Sequence, residues 1–156
     1  MSKGLLLLCC AIISAVLASA LQAKGFMPSD VQRLQTVSDP VFHLDGLSLI
    51  YSVGEVDTAK DEEVSDLWSV ALNGSAPIRL TKTPSNESQP SLSPDGGTLY
   101  FLSDAGKDNV SQIWTMPAAG GEAKVLSRFP QGVEDYALSP DGKSLAVIVR
   151  DADTDA

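Results

Sequence analysis

Ser93-Pro94-Asp95-Gly96 recurs as Ser139-Pro140-Asp141-Gly142, 46 positions later, and its surroundings recur at the same offset. Leu67-Trp68 returns as Ile113-Trp114, Gly74 as Gly120 and Leu80 as Leu126. A fixed period in the forties marks stacked sheet units of the propeller-blade kind. Such a unit cannot bury its flat apolar faces alone, so each copy needs a neighbour.

The runs Leu47–Val53, Thr98–Ser103 and Ser144–Val149 are rich in Val, Ile, Leu and aromatic residues, and each follows an Asp-Gly. Asp accepts local backbone hydrogen bonds and Gly tolerates positive φ, so each Asp-Gly predicts a tight turn between two strands. The first copy, His43-Leu44-Asp45-Gly46, keeps the Asp-Gly and loses the Ser-Pro. A second hairpin follows in each repeat. Asp66 to Leu72 leads through Asn73-Gly74 to Pro77 to Leu80; Ser111 to Met116 leads through Gly120-Gly121 to Ala123 to Leu126. Polar and apolar residues alternate around Trp68 and Trp114, as in half-buried strands.

The predicted fold class is therefore all-β, a β-propeller of four-stranded antiparallel blades with about two and a half blades present. Blade 1 is placed at 40–88, blade 2 at 89–134, and a third is begun at 135–156, with two strands ending at Arg150. Asp61-Glu62-Glu63 and Lys107-Asp108-Asn109 read as exposed loops between second and third strands.

Residues 1–20 read as a secretory signal peptide. Lys3 is the positive start, Leu5 to Leu21 the apolar run, and Ala18-Ser19-Ala20 the small residues of a cleavage site, with Ala23 as an alternative. The run is at the short end for a membrane anchor and lacks basic flanks. Cys9 and Cys10 both lie inside it, so the mature chain would carry no disulfide and no thiol nucleophile. Cleavage removes Lys3 alone among charged residues and takes the net charge from -9 to -10. That balance argues against nucleic acid or an anionic membrane as partner. The expected location is exported, periplasmic or secreted.

Residues 21–39 are read as a linker and a lead-in helix. Ser29-Asp30-Val31-Gln32 fits a capping box, and Val31, Leu34 and Val37 fall on one face of two or three turns. The helix must end before Pro40. The terminal run from Asp151 to Ala156 is acidic, but it lacks the glycine and later glutamate of a calcium loop.

Propellers close around four to eight blades. Each apolar side chain left uncovered on a blade face forgoes ~1.5–3 kcal/mol, against ~5–15 kcal/mol for a whole domain. The expectation is the front part of a longer protein, with self-association of the open fragment when it is made alone.

Several of these segments resemble the start of the prolyl oligopeptidase family of serine peptidases, in its acylaminoacyl-peptidase and dipeptidyl-peptidase branch. The segments are Val37-Ser38-Asp39-Pro40, Ser65-Asp66-Leu67-Trp68, Arg79-Leu80-Thr81, and Gln89-Pro90-Ser91-Leu92 running into Ser93-Pro94-Asp95-Gly96. The resemblance covers about Val31 to Arg150. It implies an N-terminal propeller that screens a downstream α/β-hydrolase domain with a Ser-Asp-His triad, admitting short peptide substrates.

None of that domain's motif positions exists here. Gly46-Leu47-Ser48-Leu49-Ile50 approaches the nucleophile elbow but lacks its closing glycine and the helix that must follow. His43, the only histidine, sits where the other repeats have Ser93 and Ser139, and reads as a turn residue. Trp68 and Trp114 read as blade packing. No catalytic, cofactor-binding or metal residue is assigned, and no cofactor is implied. The Ser-Pro-Asp-Gly turn also occurs in the periplasmic propeller of the Tol system, so a non-catalytic propeller that binds a protein partner stays open, as does a truncated product.

Overall fold

The computed structural model describes residues 25, 27–58, 60–106 and 109–151. The chain divides into two compact units, Met1–Val31 and Gln32–Ala156. The leader at 1–20 and the acidic run beyond Asp151 lie outside the described residues.

Among the described residues, ten strands follow a short 3-10 helix at Pro28–Arg33. Strands β1 (Thr36–Phe42), β2 (Ser48–Asp57), β3 (Glu62–Ala71) and β4 (Ile78–Arg79) form one sheet in that order. Strands β5 (Glu87–Leu92), β6 (Thr98–Ser103), β7 (Gln112–Pro117) and β8 (Lys124–Val125) form a second in the same order. Strands β9 (Asp135–Leu138) and β10 (Leu145–Ile148) pair as a third. Every pairing between these strands is antiparallel. The repeat read from the sequence is thus a repeat of four-stranded meanders, and the all-β reading holds.

Two local expectations are corrected. The short lead-in helix is present, as a six-residue 3-10 stretch with a hydrogen bond from the Met27 N–H to the Asp30 carboxylate (2.9 Å). Val37 is not on it. With Thr36 it opens β1, opposite Val53 and Gly54, because β-branched residues fit a pleated strand better than a helix. The loop expected at Asp61-Glu62-Glu63 is only a turn, since Glu62 and Glu63 already pair with Asp57 and Val56 in β3.

The Asp-Gly turns explain themselves at atomic level. The Ser93 hydroxyl donates to the Asp95 carboxylate and accepts from the Thr98 N–H, and Asp95 accepts from the Gly97 N–H. Ser139, Asp141, Lys143 and Ser144 repeat the arrangement. Gly96 and Gly142 both adopt positive φ. In the first copy Asp45 still receives the Leu47 N–H, but His43 has no hydroxyl with which to close the turn.

Two apolar seams join the sheets. Ile50 and Leu67 of the first meet Leu99, Phe101 and Met116 of the second. Leu102, Ile113 and Val133 then meet Tyr136, Leu145 and Val147. Leu67 and Ile113 are the same position one period apart, so one strand supplies the same anchor to each successive seam. Other large apolar side chains, Val37, Phe42, Leu47 and Ile78 among them, stay more than 60 % exposed.

Candidate functional site

The first strands of the three sheets, β1, β5 and β9, face one groove of about 260 Å³. Its walls are Asp39-Pro40, Gln89-Pro90 and Asp135-Tyr136. These pairs hold equivalent places in the three sheets, so the groove is where successive inner strands converge on the axis of a propeller.

A bulge aims the side chains there. The β1–β2 register shifts between Ser38 and Val41, and the β5–β6 register between Ser88 and Ser91. At each shift the residue before the proline is left-handed, Asp39 at φ 52° and Gln89 at φ 50°. Proline lacks an N–H and so sits without loss where the ladder is interrupted. The turned-out residues reach across the sheets. The Gln89 N–H donates to the Asp39 carboxylate (3.4 Å), and the Gln89 side-chain amide donates to the Glu134 carbonyl (3.5 Å). The Tyr136 hydroxyl donates to the Gln89 carbonyl (2.8 Å). Burial, with the charges of Asp135 and Tyr100 adding to it, raises the Tyr136 phenol far above its usual value, so it stays a donor. The Gln89 side-chain oxygen is buried without a partner among the described residues.

A polar cluster ties the first sheet to the second, where the Ser65 hydroxyl of β3 donates to the Glu87 carbonyl of β5 (2.9 Å). The Arg79 guanidinium pairs with the carboxylate of Asp66, which is only 2 % exposed. Thr81 donates to Asp66 (3.1 Å) and accepts from the Leu67 N–H (2.9 Å). The next repeat rebuilds this with neutral groups: Ser127 donates to Gln112 (2.8 Å) and accepts from the Ile113 N–H (2.8 Å). Glu87, 1 % exposed, accepts from Thr83 (2.6 Å) and Ser103 (3.0 Å) on one oxygen. Its other oxygen has no partner among the described residues. Burial pushes its carboxyl above the ordinary value, outweighing these hydrogen bonds, and Asp66 adds to the rise.

The sequence-predicted positions fall elsewhere. His43 lies in the first turn, its N–H bonded to the Ser48 carbonyl and its carbonyl to the Gly46 N–H. Its ring nitrogen Nδ1 is 3.6 Å from Asp45, too far for a hydrogen bond. Ser48 opens β2 opposite Ala71, in the middle of a sheet and not at a strand-to-helix turn. Trp114 packs on the first seam and donates to the Ser103 carbonyl (3.1 Å). The sequence reading assigns no role to this groove, although Asp39-Pro40 and Gln89-Pro90 both stand in it. Their shared dipeptide pattern, at the same distance before each turn, was the available signal.

The arrangement repeats a known one. The family description TolB beta propeller domain matches residues 29–155. The chain belongs to this family. The curated relatives of this chain include peptidases. The uncharacterized peptidase YuxL of Bacillus subtilis is 34 % identical over 81 residues, 52 % of this chain and 12 % of that protein. Dipeptidyl-peptidase 5 of Porphyromonas gingivalis is 32 % identical over 79 residues, 51 % of this chain and 12 % of its own length. The chain thus corresponds to a small part of the curated relatives it matches. Among solved structures, the acylaminoacyl peptidase of Pyrococcus horikoshii shares the fold at TM-score 0.66 and 17 % identity, over 85 % of this chain and 20 % of that one. A structure described as TolB from Agrobacterium tumefaciens aligns at TM-score 0.58 and 25 % identity, over 74 % of this chain and 39 % of its own. The resemblance to the propeller of prolyl oligopeptidase family peptidases therefore holds.

Proposed function

We propose that this chain is the propeller part of an exported serine-type peptidase acting on short peptides. Its role is shape: the inner strands bound a passage to an α/β-hydrolase domain carried by the rest of a longer protein. The observation that carries the reading is the pair of curated peptidase relatives, each matched over half of this chain. The groove supports it physically. Pro40 and Pro90 stiffen its walls, and cross-sheet bonds from Gln89 and Tyr136 fix its width. A peptide amine would find Asp39 and Asp135 at the wall. Residues 1–20 would direct export and be removed.

The test is made on the whole protein encoded with these residues. A fluorophosphonate probe should label one serine outside residues 1–156, and short peptides should be cleaved while folded proteins are not. Replacing Gln89 and Tyr136 by alanine together should loosen the passage and admit longer peptides. An unlabelled, inactive protein overturns the reading.

A second reading has its own support, the TolB structure at 25 % identity. Here the propeller is a non-catalytic module binding a protein partner, and the groove is its docking point. The same labelling separates the two, since this reading requires no reactive serine anywhere in the protein.

A further inference from the structure

Trp68 and Trp114 stand at the same place in successive sheets, and their partners across the last strand pair differ. Trp68 is opposite Arg79, whereas Trp114 is opposite Val125. In the first sheet the guanidinium of Arg79 lies 5.9 Å from the Trp68 ring centroid and pairs with Asp66. In the second sheet Val125 is too short to cover the indole, and Gln112 replaces Asp66. A pocket of about 420 Å³ opens beside Trp114, walled by Val110, Val125, Phe129 and Pro130. Its volume lies in the ~300–1,000 Å³ range of ligand sites. Every lining residue comes from the second repeat and its following linker.

The chemistry of the walls limits what fits. The Gln112 amide is already spent: its oxygen accepts from Ser127 and the Phe129 N–H, and its nitrogen donates to the Phe129 carbonyl (2.7 Å). No carboxylate lines the pocket among the described residues. Arg128, exposed on the lining, makes no ion pair among them. A cationic side chain is therefore opposed here, although its counterpart is accommodated in the first sheet. An aromatic or branched apolar side chain with an anionic group beside it is matched. The adjacent edge strand β8 is two residues long, and edge strands present main-chain groups that a peptide backbone can pair with and a simple carboxylic acid cannot.

We propose that this pocket binds the C-terminal residue of a peptide, with its aromatic or branched side chain against Trp114 and its α-carboxylate on Arg128. The site is separate from the inner groove and does not depend on the peptidase reading.

The experiment titrates the full chain, with Trp68→Phe so that Trp114 alone reports, against N-acetyl-Ala-Phe, its C-terminal amide, and 3-phenylpropionate. The acid should quench Trp114 saturably, and the amide and phenylpropionate should bind at least about tenfold more weakly. Arg128→Gln, at an exposed position, should erase the difference between acid and amide. Val125→Arg with Gln112→Asp copies the first sheet and should fill the pocket, abolishing the response while leaving the far-ultraviolet circular dichroism unchanged. Absence of saturation overturns the proposal. So does equal affinity for acid and amide, or binding that survives Val125→Arg with Gln112→Asp. Phenylpropionate binding as tightly as the dipeptide overturns the assignment to a peptide.

Discussion

Arg79 caps Trp68: the guanidinium lies 5.9 Å from the indole centroid while it holds the buried carboxylate of Asp66. One side chain therefore serves a stacking contact and an ion pair at once, and neither alone describes it. Arg79→Ala leaves Asp66 buried with Thr81 as its remaining side-chain partner among the described residues. The expected loss is about 1.5–3 kcal/mol, the range for hydrogen bonds to charged groups. Urea denaturation of the two proteins measures it, with Trp68 emission shifting to the red in the variant. Arg79→Lys should recover little of the loss, because an ammonium cannot both stack flat and bond the carboxylate.

Glu87 gives the chain a pH dependence of defined sign. Burial raises its folded-state carboxyl above the ordinary 4.5, so the folded chain holds this proton more tightly than the unfolded one. The associated stability is fully present below the unfolded value and is lost as pH rises through the raised folded value. Glu87→Gln keeps an acceptor for Thr83 and Ser103 and removes the buried charge. The variant should gain on the wild type as pH rises from acid to neutral, and the two should converge in acid. Urea midpoints across that range check it; a parallel pair of curves contradicts the assignment.

The Asp-Gly turns behave oppositely. Hydrogen bonds from Ser93 and then from the Gly97 N–H hold the Asp95 carboxyl below its ordinary 3.8, and Ser139 and Lys143 do the same for Asp141. Stability from these groups is present above the unfolded value and is lost as pH falls through the folded ones. Ser93→Ala should raise Asp95 towards its ordinary value while leaving Asp141 unmoved. Carbon-13 carboxyl titration by NMR reads both residues in one experiment.

Two glycines with nearly the same backbone should differ in cost. Gly46 at φ 65° has open space where a Cβ would stand, whereas at Gly142, φ 69°, that atom would lie 2.8 Å from the Pro94 ring. Gly46→Ala should lose only the left-handed penalty of about 1–2 kcal/mol. Gly142→Ala should lose more, because the turn after β9 must move off the turn after β5. Thermal melts of both variants give the comparison.

Much of this was legible from residue spacing. The turns were located because Asp-Gly is a local instruction, satisfied by hydrogen bonds within five residues. The seam positions Leu67 and Ile113 followed from the period. What escaped depends on the fold. Glu87 looks like a surface acid in the segment Asn86-Glu87-Ser88, and it is buried with Thr83 of the preceding connection and Ser103 of β6 as its hydrogen-bond donors. The left-handed Asp39 and Gln89 escaped because their geometry arises from a register shift between strands, which no local run of residues encodes. Val37 fits the face of a two- or three-turn helix by spacing, because apolar spacing alone does not distinguish helix from strand when the run is short.

The outermost strands β4 and β8 are two residues long, and each carries a cation, Arg79 or Lys124. An edge that brief can pair with the last residue or two of a peptide but offers little template for a continuous run of strand. The rim of this molecule is thus open to a short peptide end yet guarded against runaway fibre growth.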